Sequence, residues 1–299
     1  MKFRFAFGIA LAMCLLFQTP NFCAAEEGAA SPRPVGAVTV NGGPGGMSVP
    51  TGKFIGVLNY RYAEKDNWYH YSVACDGADR EAVSHTMVTK FRYGIAPGWD
   101  VRTATPFAST EARLDGECDN YIGGIGDTMI VLRHQFMAQK KGAPVSLAWD
   151  LGVNTPTGEV GEGKIGSGAW GGMAGLGATY MFGSHRIDGD VNYLVYTEGA
   201  HDTRKGDRFR ANAHYAYAVN SLLDLGVEAN YEWLQENRRE GKGLNNDIKT
   251  LYVGPKFNLK FKEYGMTFGG ALLGAAYRES QKQTLTEDWR MEFKLVKVF

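Results

Sequence analysis

From residue 51 to its last residue the chain alternates apolar and polar side chains in about twelve consecutive segments, each with a period of two. This pattern constrains the fold more than any other feature. A strand places every second side chain on one face, whereas a helix repeats every 3.6 residues. The period is cleanest over 207–219, where Phe209, Ala211, Ala213, Tyr215, Tyr217 and Val219 oppose Arg208, Arg210, Asn212 and His214. The next segment, 222–234, sets Leu223, Leu225, Val227, Tyr231 and Trp233 against Asp224, Glu228, Asn230 and Glu232. The remaining runs are 51–62, 83–95, 98–109, 124–137, 144–155, 168–182, 188–197, 248–260, 265–277 and 288–299.

The connections alternate in length. Short ones are "APG" (96–98), "AQKKGA" (138–143), "GSHR" (183–186), "NS" (220–221) and "FKEYG" (261–265). Long ones are expected at 63–82, 110–123, 156–167, 198–206, 235–247 and 278–287. A water-soluble sandwich has no reason to gather its tight turns at one end. A transmembrane antiparallel up-and-down β-barrel does, with short periplasmic turns and longer external loops. An even strand number then puts both chain ends on the periplasmic side.

Aromatic residues fall where such a barrel meets the two membrane interfaces. Tyr93, Trp99, Phe136, Phe182, Tyr217, Phe257 and Phe299 map to the periplasmic rim, and Tyr60, Tyr62, Phe107, Trp170, Tyr231, Trp233 and Trp289 to the external rim. The outward face between them is almost uncharged. Lys297 is the main exception, close enough to the rim to snorkel. The chain ends "MEFKLVKVF" (291–299), an alternating strand with an aromatic in the last position. A closing strand that pairs with the first leaves no free edge, so it can run to the interface.

The N-terminus reads as an export signal. Lys2 and Arg4 precede the apolar run "FAFGIALAMCLLF" (5–17), and "CAA" (23–25) supplies small residues before Glu26. Cleavage is expected after Ala25. The apolar run is shorter than the roughly 20 residues that a helical span needs. Removing 1–25 takes two positive charges from a chain of formal net charge +0, leaving it slightly acidic, and nothing in that balance points to nucleic acid. Residues 26–50 form a lead-in containing "NGGPGGMSVP" (41–50), either a periplasmic segment or a partial plug folded into the barrel of 51–299. Gly171, Gly175 and Gly177 on the sixth strand, and the small side chains of Gly269–Ala276, leave room for a segment passing close to the wall.

Two stretches, "GIGDTMIVLRHQF" (124–136) and "LAWDLGVNTPTGE" (147–159), together with "GSGAWGGMAGLGATYMFG" (166–183) and "TLYVGPKFNLKF" (250–261), carry a family resemblance. Through its Gly-Asp-Thr and Thr-Pro-Thr-Gly landmarks, the chain resembles the MetA-pathway phenol-degradation family of outer-membrane transporters. It departs from the family pattern at Asn154-Thr155, where a Leu is expected before Pro156, and in carrying two loop cysteines. The resemblance implies passage of aromatic or other hydrophobic compounds across the outer membrane. Phe299 likewise resembles the C-terminal signature that the barrel-assembly machinery recognises. The partners expected are therefore outer-membrane lipid, that machinery and a small-molecule solute, with the barrel acting as a monomer.

Function is expected on the inward face. Its candidate lining residues are Arg61, Lys90, Arg92, Arg102, Asp127, Arg133, Asp150, Arg208, Arg210, Asp224, Glu228, Glu232, Lys256 and Arg290. Hairpin register should set Arg133 close to Asp150, Asp127 roughly opposite Asn154, Arg208 and Arg210 near Glu232, and Asp224 near Lys256 and Lys260. Such charges either fill a narrow barrel as ion pairs or form a selective constriction. Cys75 and Cys118, in the first two external loops, are positioned to form a disulfide in an oxidising compartment. "GEVGEGKI" (158–165) and "GEGKIG" (161–166) are near misses to phosphate-binding loops, set in a loop with no following helix. The six histidines show no ligand spacing, so neither metal nor cofactor is implied. Two other functions compete with a channel: an adhesive barrel acting through its loops, and an outer-membrane lipase. The latter needs a paired His and Ser on the lipid face, where only His85 and His134 point outward.

Overall fold

The computed structural model of the protein describes residues 33–35, 43–75, 80–114 and 117–299, with the side chains of 75–80, 114–119 and 283 outside that description. The alternating segments form the wall of a closed antiparallel barrel. In chain order its strands are β1 (Phe54–Tyr71), β2 (Arg80–Ala96), β3 (Trp99–Leu114) and β4, which comes in two pieces (Glu117–Ile125 and Met129–Met137). β5 (Ser146–Asn154), β6 (Gly171–Phe182), β7 (His185–Tyr196), β8 (Arg208–Ala218), β9 (Leu223–Leu234) and β10 (Ile248–Phe261) follow. The run Met266–Val298 supplies the last two. Its first leg, β11 (266–280), pairs with β10, and its second, β12 (284–298), pairs with β1.

Closure follows from the β1–β12 register, which sets Leu58 opposite Leu295, Arg61 opposite Glu292 and Ala63 opposite Arg290. Every wall strand then has a partner on both sides, which satisfies backbone groups that lipid cannot. The terminal residue completes this seam. Phe299 N–H donates to Phe54 O at 2.9 Å, and its ring lies 5.6 Å from that of Phe54, which stacks on Phe91 at 5.7 Å. Deleting Phe299 removes one rung and one ring at the point of closure. The expected result is a clearly lower yield of folded barrel in cells, read as the fraction running at the compact position on unboiled gels.

The two faces of the wall have opposite chemistry. Outside, Phe91, Leu151 and Leu176 are 50%, 55% and 58% exposed to the surroundings, as lipid-facing side chains should be. Inside, Asn59, Arg133, Asp224, Asn230, Arg290 and Glu292 are fully buried. Lys297 Nζ reaches the Tyr264 carbonyl at the rim, which is the snorkelling its position implies.

The tight turns gather at one end, at 97–98, 138–145, 183–184, 219–222 and 262–265. At the other end the expected loops 63–82, 110–123 and 278–287 are largely strand: β1 continues to Tyr71, β3 to Leu114, and Met266–Val298 is unbroken. Pairs such as Glu64–Val83 and Glu81–Arg113 carry the ladder beyond the apolar band. There both faces meet water, so the backbone keeps its partners while the side-chain alternation that marks a strand in sequence disappears. Cys75 ends a short strand opposite Trp68, and Cys118 lies opposite Arg113. Their side chains, and with them the expected disulfide, lie outside the described residues, as does the export signal at 1–25.

Candidate functional site

The described residues before β1 lie inside the barrel at its short-turn end. Val35 N–H donates to Asp224 on β9 at 2.7 Å, and Val35 O accepts from Arg186 on β7 at 2.9 Å. Gly43 N–H donates to Asp190 at 2.9 Å and Gly46 N–H to Thr179 Oγ1 at 2.9 Å. Ser48 Oγ bonds Gln135 Oε1 on β4 at 2.8 Å, and Val49 N–H bonds Asp100 on β3 at 2.9 Å. Val35 thus sits between β7 and β9, and residues 43–50 run along the wall from β7 round to β2. Small residues allow the approach: a Cβ at Gly177 would collide with Gly45 O, and one at Gly94 with Pro50 O. On β11 the inward small face packs differently: Ala271 and Leu273 are buried against Tyr252, with Ala275 beside them.

Charge networks line the wall, and the inward-facing ones among the described residues fall into three groups. In the first, Arg133 grips Asp150 through two bonds of 2.7 Å, and Arg102 adds a third contact to Asp150 at 2.9 Å. Arg133 Nη1 also donates to Gly45 O at 2.6 Å and Met47 O at 3.1 Å, so one guanidinium ties wall to segment. Arg92 does the same more weakly, pairing with Asp100 at 2.8 Å and reaching Met47 O at 3.4 Å. The fork geometry of arginine suits this double duty.

The second network centres on Arg290. It meets Glu232 and Glu292 at 3.0 Å each, donates to Asn230 at 2.9 Å and lies 3.8 Å from the ring centroid of Tyr252. Arg61 joins through Glu292 at 3.0 Å, and Arg210 stands 3.9 Å from Glu232. In the third, Lys260 pairs with Asp224, Arg186 with Asp188 at 2.8 Å, and His214 Nδ1 lies 3.3 Å from Glu228.

These positions agree with the sequence register for Arg133–Asp150 and for Arg210–Glu232, whereas Arg208 faces Leu234. Lys260 rather than Lys256 meets Asp224, because Lys256 lies opposite Gly226. Arg186, Asp188 and Asp190 did not stand out in the sequence, where Arg186 fell in a turn. Extending the period of two backwards from Asn192 through 190, 188 and 186 would have found all three.

Asp127 departs from its expected place opposite Asn154, whose partner is Met129. It sits instead in the break of β4, where no ladder sets a register. There its carboxylate accepts from Gly158 N–H at 3.0 Å, Ser167 N–H at 2.9 Å and Ser167 Oγ. Thr128 N–H donates to Thr157 Oγ1 at 3.0 Å, while Thr155 Oγ1 donates to Thr128 O at 2.8 Å. The Gly-Asp-Thr and Thr-Pro-Thr-Gly landmarks are therefore two halves of one joint that holds the 155–170 loop. The "GEVGEGKI" stretch belongs to this loop and carries a Lys164–Glu159 pair at 2.8 Å. On the outer wall His85 bonds Tyr60 OH at 2.8 Å, and His134 stacks on Trp99 at 4.1 Å.

Next to the segment, with Gly43 on its edge, the lumen holds a partly open cavity of about 360 Å³. Met129, Val131, Met173 and Tyr196 supply an apolar wall, and Arg61, Lys90, Arg102, Arg208, Arg210 and Asp150 supply charge. Val131, Met173 and Leu194 pack as one cluster.

The outer-membrane channel COG4313 of Pseudomonas putida F1 has a similar solved structure, with 17% identity, a TM-score of 0.71, and 84% of this chain and 97% of that one covered. The β domain of the Bordetella autotransporter BrkA overlaps more loosely, at 8% identity, TM-score 0.49, and 83% and 100% coverage. No curated protein sequence matches. The closed barrel, its apolar outer band and its structural likeness place the protein in the bacterial outer membrane. The family model described as "Putative MetA-pathway of phenol degradation" matches residues 80–293, most of the barrel, and the chain belongs to that family.

Proposed function

We propose that the protein is a monomeric outer-membrane channel for small aromatic or otherwise hydrophobic solutes. Solute passes along a narrow lumen of mixed charge, and residues 43–50 constrict that lumen at the periplasmic end. One observation carries this reading: the closed wall keeps an internal cavity of about 360 Å³ with an apolar side of Met129, Val131 and Met173. A barrel that only displayed loops has no need of such a space, and small-molecule pockets span roughly 300–1,000 Å³. The family's link to phenol degradation and the channel assigned to the Pseudomonas barrel support the same direction. The lining set proposed from sequence serves two ends. Arg133, Asp150, Arg92, Glu232 and Arg290 hold wall and segment in place, while Arg208, Arg210, Lys90 and Arg102 face the path. Proteoliposomes holding the full chain should admit benzyl alcohol and benzoate faster than protein-free vesicles do. Rates no faster than those of protein-free vesicles for either solute would refute the proposal.

A further inference from the structure

The charges around the cavity are unevenly matched. Its carboxylates are engaged: Asp127 holds the 155–170 loop, Asp150 is gripped by Arg133 and Arg102, and Asp190 accepts Gly43 N–H and Asn212 Nδ2 at 2.9 Å each. The arginines of β8 are held less fully. Arg208 Nε and Arg210 Nε are buried without a hydrogen-bond acceptor among the described residues. Among the described residues the ion-pair partner of Arg210 is Glu232 at 3.9 Å, and that carboxylate is held more closely by Arg290 at 3.0 Å. Arg208 and Arg210 lie two apart on one strand, so both open on the same face. Their strand neighbours on β7, Leu194 and Asn192, lead directly to the Val131–Met173–Leu194 cluster. A pair of under-satisfied guanidinium groups therefore borders an apolar surface within one cavity.

Burying a guanidinium without a partner is unfavourable, and a carboxylate is the group whose two oxygens match its fork. We propose that the cavity binds an amphipathic monoanion, a carboxylate on a single aromatic ring or short apolar body. Its oxygens lie against Arg208 and Arg210, and its body against Met129, Val131 and Met173. The inference rests on the lumen being the solute's path and adds the charge the solute must carry. A neutral hydrocarbon would leave both arginines unanswered, and an amine would be repelled by them.

The test uses 4-ethylbenzoate and its uncharged isostere 4-ethylbenzamide, with binding to detergent-purified full-length protein measured by calorimetry. The benzoate should bind at least about tenfold more tightly, and raising the salt should narrow the gap. In the R208Q/R210Q double variant the ratio should fall toward one. R208K/R210K, which keeps charge without the fork, should retain a reduced preference. Compact mobility on unboiled gels establishes that each variant is folded. Equal binding of the two compounds by the wild type, or an unchanged ratio in R208Q/R210Q, overturns the anion site. Proteoliposome flux separates this from the channel reading. If benzoate and benzamide cross equally fast, the channel stands and the site falls. If the benzoate binds preferentially but neither compound crosses, the site stands and the channel falls.

Discussion

Deleting residues 27–48 should raise single-channel conductance in planar bilayers several-fold. The described part of this segment lies along the lumen wall, bonded to Asp224, Asp190, Thr179 and Gln135. Removing it clears the periplasmic end without touching any strand of the ladder. The cavity above would then be continuous with the periplasm. Conductance follows the narrowest cross-section, so the gain should far exceed the change in mass. Gly177→Val is the milder companion. Its side chain occupies the place of Gly45 O, so it should unseat 43–47 and raise both conductance and protease sensitivity of the segment. Unchanged conductance in the deletion would mean that the segment does not limit the path.

Arg290→Ala should be the most destabilising single substitution in the wall, by about 3–5 kcal/mol, the usual effect of removing one member of a buried ion network. Arg290 is fully buried, touches Glu232 and Glu292 at 3.0 Å, and covers Tyr252 at 3.8 Å. Its loss leaves two carboxylates close together inside the barrel with Arg61 as their nearest remaining cation, 3.0 Å from Glu292 and 3.8 Å from Glu232. The β1–β12 seam sits beside it, because Arg290 pairs in register with Ala63. The urea midpoint, followed by loss of the compact gel band, should fall markedly. Arg290→Lys should recover part of the loss, since it restores charge but not the fork that also reaches Asn230. A midpoint within error of wild type would contradict the assignment.

What the sequence disclosed follows from what lipid demands. Wherever one face meets hydrocarbon and the other the lumen, alternation is enforced, and segments such as 207–219 and 222–234 could be placed to within one residue of β8 and β9. Where β1, β3 and β11 rise above the apolar band, both faces are wet and the pattern carries no signal, so strands there read as loops in the sequence. Arg133 and Asp150 were legible as partners because a short turn fixes their register. Asp127 was misplaced because β4 breaks at 126–128 and its carboxylate answers to a loop thirty to forty residues on. The segment's route was only hinted at by Gly177, since nothing local in 43–50 names Asp190 or Arg133 as its partner.

Solute passage through the inside of the barrel can be tested at one wall position. Ala104 lines the cavity between Arg102 and Pro106, and its replacement by Trp fills the path without removing any charge. Flux of benzoate into proteoliposomes should fall about tenfold in Ala104→Trp, with strand content and compact gel mobility unchanged. Flux equal to that of the wild type would place the route elsewhere and contradict the account.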